Sequence, residues 1–432
     1  NKYDDEYNVF AKTNAVNVTI PKGVEYIGYG VFLNCKTIET VKLPDTLESL
    51  ADHCFSGCSN LKEIVIPGSV KEIYSSTFEQ CNSLKSVKIE EGVTGISSDM
   101  FRYCGLLTDV VLPDTIKSIG GEAFCKCSSL RTITIPDSVE TIGNSVFMGC
   151  SSLADVKLPE KITTIPSETF FNCTSLKEIT IPYYVESVGK NAFTFKDKNY
   201  NYLPLELEII NFGAKLKSIE NLPINSNTLQ EINVDAKNGF FSSEKGVLYN
   251  KNKSQLIKYP VAKDNNNYTV PETVKQINEG AFANNSKIKY IYLGKNVSMV
   301  EPTAFQNCSH LDEIYFYNKD CDIYMSKNTI NSTAVINGYK DSTAEEYANT
   351  FGFAFNEIKE AATTTSTSVT TGNKTTTSTT TTTFTTSSTT STSTRQTSLT
   401  STNTSSTNTI STISIVTTTS NETDYMLGDV DN

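Results

Sequence analysis

The sequence predicts an α/β-type repeat solenoid, mostly β, made of 23-residue coils with a parallel strand ladder and a short C-terminal capping helix. Three observations carry that prediction. Phenylalanine recurs at Phe32, Phe55, Phe78, Phe101, Phe124, Phe147, Phe170 and Phe193, spaced by 23, and the period returns at Phe282 and Phe305. Cysteine follows three residues later at Cys35, Cys58, Cys81, Cys104, Cys127, Cys150, Cys173 and Cys308. Between these anchors runs a short alternating stretch that ends in proline, as in Ile64-Val65-Ile66-Pro67.

The coil from Leu130 to Ser152 shows how each position works. Ile133 and Ile135 point one way while Thr132 and Thr134 point the other, the pattern of a half-buried strand. Pro136 ends that strand. A second extended piece, Val139 to Ile142, carries the chain round the opposite side, and Phe147 fills the interior before the turn at Cys150-Ser151-Ser152. One such coil cannot bury its own apolar groups, so neighbours must stack on a shared core. Roughly a dozen coils are expected, their strands about 4.8 Å apart.

Between residues 194 and 270 the period slips. Leu207-x-x-Ile210-x-Phe212 and Leu229-x-x-Ile232-x-Val234 keep the strand signature. Lys245 to Tyr249 and Leu256 to Pro260 flank an Asn-Lys-Asn-Lys turn and predict a hairpin inserted in the stack. Ser342-Thr343-Ala344-Glu345 is a capping box that opens a short helix through Thr350, with Gly352 as its stop, and the repeats close near Ile358. That helix is expected to cover the last coil, whose edge would otherwise stay open.

Four segments follow: a lead-in at 1–15, the repeat domain at 16–361, a Thr/Ser-rich tract at 362–424 and a short segment at 425–432. The tract has too little apolar surface to offset the entropy of ordering and predicts a disordered, O-glycosylated linker. The chain opens on Asn1-Lys2-Tyr3-Asp4-Asp5 with no charged-then-apolar signal segment, and no apolar run is long enough to span a membrane.

Composition narrows the function. A net charge of -11 argues against nucleic acid or an anionic membrane as partner, since both require clustered Lys and Arg. His53 and His310 are the two histidines. By their places in the repeat, His53 sits at an exposed position and His310 in a turn, so neither suggests catalysis or metal binding. The cysteines lack metal-ligand spacing and are odd in number, 11. They are expected as buried thiols donating to backbone carbonyls. Acidic residues such as Asp109 and Asp155 sit on an open face where nothing would raise a pKa, and the chain is expected not to be an enzyme. No cofactor is expected in it.

The remaining candidate is the outward face of the strand ladder. In the early coils it carries small or charged residues such as Thr40, Lys42, Glu63 and Thr132, but Tyr290, Tyr292, Tyr315 and Tyr317 gather on it later, with Glu313 among them. These five are the candidate ligand-binding residues, because tyrosine offers flat apolar area with a polar tip. The competing reading is that a tyrosine ladder only stabilises its sheet.

The unit Leu-x-x-Ile-x-Ile-Pro-x-x-Val-x-x-Ile-Gly-x-x-x-Phe-x-x-Cys resembles the BspA-like leucine-rich repeats of bacterial surface and secreted proteins. Gly246-Val247-Leu248-Tyr249 and Ser342 to Ala348 also look like segments of that family. The resemblance covers about residues 16 to 358 and implies a leucine-rich repeat rod used for adhesion or for binding a protein, a cell surface or a polysaccharide. Gly428-Asp429-Val430-Asp431-Asn432 resembles the opening of a dockerin. That implies Asp429 and Asp431 as the first and third ligands of a calcium loop, Ca2+ only in the complete module, a cohesin partner and attachment to a cellulosome. The resulting expectation is a non-catalytic, secreted or cell-surface binding module; the alternative is a carbohydrate-binding or polysaccharide-degrading component of a cellulosome.

Overall fold

The computed structural model describes residue 10, residues 14–330 and residues 333–359. The chain divides into residues 1–362 and 363–432, and the Thr/Ser-rich tract and the segment 425–432 lie outside the described residues.

Residues 14–359 form a mostly-β parallel solenoid of about 15 coils of about 23 residues, more than the dozen expected. The surplus comes from coils that keep a strand without the Phe anchor. Each regular coil contributes one strand of three or four residues and one of two. Asn17–Thr19, Thr40–Lys42, Glu63–Ile66, Ser86–Ile89 and Asp109–Val111 make one parallel sheet whose partners are 23 residues apart, as Val87 is from Ile64 and from Val110. Further along come Asn267–Thr269, Tyr290–Leu293, Glu313–Phe316, Val335–Gly338 and Phe355–Glu357. The two-residue strands pair separately, as Ser118–Ile119 does with Gly95–Ile96 and Thr141–Ile142. Alternation follows the pleat: in Glu63–Ile66, Ile64 and Ile66 are buried while Glu63 and Val65 are exposed.

The interior is a column of rings. From Phe32 to Phe193 successive phenylalanines stack nearly parallel, with centroids 5.0 Å apart at Phe32–Phe55 and 5.8 Å at Phe124–Phe147. Such pairs contribute about 0.5–1.5 kcal/mol each beyond area burial. Each ring is fixed by its backbone: Phe78 N–H donates to Met100 O and Phe101 N–H to Ala123 O. The cysteines are buried free thiols, as expected. From Cys58 onward each ladder thiol donates to the carbonyl of the Phe one coil earlier, Cys58 to Phe32 at 3.1 Å and Cys150 to Phe124 at 3.1 Å. Asn285 replaces cysteine in one coil and does the same work, its Nδ2 donating to Pro260 O at 3.1 Å.

The irregular segment departs from expectation in two ways. An unforeseen hairpin, Thr194–Lys196 with Tyr202–Pro204, replaces one turn. The predicted hairpin gains a third strand: Phe241–Glu244, Val247–Asn250 and Gln255–Lys258 are antiparallel, and the last of them then pairs in parallel with Gln276–Ile277. The hairpin is therefore part of the ladder and not an insertion beside it. Leu248 packs into the core on one side of it, Val247 and Tyr249 into the core on the other.

The predicted cap forms, but with its reciprocal bond on the residue before the N-cap Ser342. Ser342 Oγ accepts from Glu345 N–H at 3.3 Å and Glu345 Oε2 accepts from Asp341 N–H at 2.6 Å. The helix runs Thr343–Phe351 and ends on Gly352, whose φ of 74° is the left-handed stop. Ala344, Tyr347 and Ala348 close the core. The helix does not cover the ladder's edge, because the chain continues into Phe355–Glu357 on Val335–Gly338. That edge is three residues long, which itself limits further pairing.

Candidate functional site

The five candidate residues are brought together by the parallel ladder. Tyr290 is paired with Glu313 and Tyr292 with Tyr315, on adjacent strands. Ile291, Leu293, Ile314 and Phe316 turn inward and are buried, so the intervening side chains are held outward. The rings of Tyr292 and Tyr315 stack with centroids 4.7 Å apart and planes 24° from parallel. Tyr317 lies 6.3 Å from Tyr315 on the same face and is 36% exposed.

Glu313 organises the patch. It accepts from the Tyr315 hydroxyl at 2.7 Å and from Asn337 Nδ2 at 3.1 Å. Burial, followed by the Glu313 carboxylate, pushes the Tyr315 phenol well above the usual tyrosine range, and the same two causes raise Tyr292. Asn356 Nδ2 extends the row to Asn337 Oδ1 at 3.2 Å. Asn337 and Asn356 were not expected from the repeat: Asn337 stands 22 residues after Tyr315, one short of the period.

His53 corrects an expectation. It is half-buried with φ of 55°, its Nδ1 3.9 Å from Glu79 and its ring edge-on to Tyr29. The same position is buried at Gly30, Ser76 and Ser145, and every residue there adopts a positive φ, as Asp99 and Glu168 do. It is a left-handed corner tucked against the next coil rather than an open surface. His310 is an exposed turn residue. Asp109 and Asp155 are exposed on the outward face. Among the described residues no group of three or more His, Cys, Asp and Glu could hold a metal, and no helix is long and apolar enough to cross a membrane. Asp429 and Asp431 lie outside the described residues.

Parallel coils sharing one core, with side chains displayed on an open ladder face, define a solenoid repeat protein of the leucine-rich type. The chain belongs to the family described as BspA type leucine rich repeat region, which it matches in six copies over residues 6–115, 94–211 and 261–338. Among solved structures it is similar to a leucine-rich repeat protein from Bacteroides ovatus ATCC 8483, at 22% identity and a TM-score of 0.53, over 76% of this chain and 84% of that one. It is also similar to a leucine rich cell surface protein from Faecalibacterium prausnitzii A2-165, at 22% identity and a TM-score of 0.42, over 81% and 89%. No match was found among curated proteins. Leucine-rich repeat proteins are in general non-catalytic binding modules.

Proposed function

We propose that this chain is a non-catalytic binding module that captures a protein ligand on its late strand face, with Tyr290, Tyr292, Tyr315 and Tyr317 as anchors and Glu313 holding Tyr315 in place. The carrying observation is the stacked Tyr292–Tyr315 pair, whose Tyr315 hydroxyl is tethered to Glu313. Ordered aromatic side chains lose little entropy on binding and suit a protein hot spot. Stacking also weighs against the carbohydrate alternative. The two rings cover one face of each other and the Tyr315 hydroxyl is taken up by Glu313, whereas a sugar needs an open ring face.

A displayed peptide library and a glycan array, both probed with the repeat region, test this reading. Peptide binders that lose about tenfold or more in affinity with Tyr292→Ala and Tyr315→Ala are expected. Glycan binding lost with the same variants, and no peptide binding, would replace it with the carbohydrate reading.

The family resemblance supports a secreted or cell-surface location. Residues 428–432 following a Thr/Ser-rich tract support attachment to a cellulosome scaffold by a dockerin, with Asp429 and Asp431 among its calcium ligands. Calcium-dependent capture of the full-length gene product by an immobilised cohesin domain is the expected result; capture unaffected by EDTA, or none, removes this attachment.

A further inference from the structure

The short-strand ladder of the first coils carries a second exposed aromatic face. Tyr26, Ser49 and Glu72 form one row of it, on adjacent parallel strands. Two residues further on, Gly28, Ala51 and Tyr74 form the next row, fixed by Ala51 N–H donating to Ile27 O and Tyr74 N–H to Leu50 O. Tyr26 is 58% exposed and Tyr74 45%. Each leans into the other's row. The Tyr26 ring lies against Gly28, where an added Cβ would be 3.6 Å from Cε1, and the Tyr74 hydroxyl donates to Glu72 Oε2 at 3.1 Å. The coil between them offers only the small Ser49 and Ala51, so the two tyrosines flank a low shelf.

The shelf is ringed by carboxylates that have no cation. Glu25, Glu48 and Glu72 are exposed and Asp52 is half-buried, and among the described residues none of the four makes an ion pair. In other coils such groups meet a lysine of the next coil, as Glu39 meets Lys62 and Glu186 meets Lys217. The nearby lysines are engaged elsewhere: Lys71 donates to Gly68 O at 3.1 Å, and Lys22 pairs with Asp45 at 3.5 Å. Glu72 and Asp52 each hold one neutral donor, the Tyr74 hydroxyl and the Ser75 N–H, which orients the carboxylate and leaves it able to accept more. The Glu72 hydrogen bond and charge raise the Tyr74 phenol above its ordinary value, with smaller contributions from Tyr26 and Asp52, so these groups act on one spot.

Exposed rings beside unpaired carboxylates complement a cation. Arginine suits them best, because the planar guanidinium stacks on aromatic faces and its fork of N–H donors matches carboxylates. Tyr26 and Tyr74 stand two coils apart, about 10 Å along the ladder, so a guanidinium above the middle coil lies about 5 Å from each and within cation–π reach.

We propose that this face docks an arginine-bearing segment of a partner protein. One guanidinium rests on the shelf between Tyr26 and Tyr74 and donates to Glu72 and Asp52, while Glu25 and Glu48 draw the flanking basic residues. The surface is open, so a lone arginine binds weakly and the affinity comes from several cations on one chain. The docking is independent of the late tyrosine face and of what that face binds.

Fluorescence anisotropy of a labelled Arg-Gly-Arg-Gly-Arg peptide, titrated with the full chain, tests it, with the lysine and glutamate counterparts as comparisons. The arginine peptide should bind saturably and several-fold tighter than the lysine peptide, weakening as salt rises, and the glutamate peptide should not bind. Tyr26→Ser with Tyr74→Ser leaves the net charge unchanged and touches only exposed side chains, so the chain should keep its melting temperature while losing about tenfold in affinity. Asp52→Asn with Glu72→Gln keeps the hydrogen-bond acceptors and should lose as much. Tyr184→Ser, at a tyrosine 52% exposed elsewhere, should change nothing. Equal affinity of the double tyrosine variant and the unchanged chain would mean that net charge alone attracts the peptide and would overturn the proposal. Equal binding of the lysine peptide, or no saturable binding, would overturn it too.

Discussion

The ring of Tyr315 stacks on that of Tyr292 while its hydroxyl donates to Glu313 two residues back in the same strand. The carboxylate disfavours the neighbouring tyrosinate, so removing its charge should ease ionisation. Glu313→Gln is expected to lower the pH at which Tyr315 titrates, read by ultraviolet absorbance of the phenolate against a Tyr315→Phe control. An unchanged titration would mean that burial, the larger cause, acts alone.

Cys127 Sγ donates to Phe101 O at 3.2 Å from a fully buried site. Cys127→Ala leaves that carbonyl without its thiol and opens a small void, costing about 1–3 kcal/mol. Because a repeat stack opens locally, hydrogen exchange should rise in the coils on either side of Cys127 more than in distant ones.

All of the 11 cysteines have pKa values raised chiefly by burial, Cys58 and Cys308 to about 12. In the unfolded chain thiols ionise near pH 8.5. Above that pH the unfolded state binds fewer protons than the folded one, so stability falls as pH rises toward 12. Lys258 runs the other way: burial lowers it to about 8, so its contribution improves between pH 8 and the ordinary lysine range. One lysine is outweighed by the thiols. Denaturant midpoints should decline from about pH 9 upward, and a thiol reagent at pH 8 should react only as fast as coils open.

Gly143 meets the coil before it at close quarters: an added Cβ would lie 2.3 Å from Gly121 N and 2.6 Å from its Cα. Backbone cannot yield as a flexible side chain can. Gly143→Ala is expected to cost about 3 kcal/mol or more, whereas Gly239→Ala, with nothing within 4 Å, should be near neutral in the same denaturation experiment.

The regular coils were legible because one 23-residue spacing sets burial, strand pairing and turn together. Phe32 to Phe193 needed no other signal. Legibility failed where the spacing did. Tyr259 belongs to the ring column, with its N–H donating to Ala281 O as Phe101 does to Ala123 O, yet it stands 66 residues after Phe193, not a multiple of 23, and is not phenylalanine. Counting back from Phe282 would have found it, and with it the buried Lys258. The tyrosine patch was readable from alternation alone. Its asparagine neighbours were not, because a coil shortened by one residue puts Asn337 beside Tyr315.

The thiol bonds of the ladder all run in one direction, from a later coil to the carbonyl of the coil before it, as Cys81 to Phe55 and Cys173 to Phe147. A chain made from its N-terminus therefore presents each new coil with acceptors already in place, and no finished coil waits on a thiol still to be synthesised. Growth of the stack can follow the order of translation. Loss of coils from the C-terminal end would free a carbonyl that water can satisfy, while loss from the N-terminal end would strand a buried thiol donor.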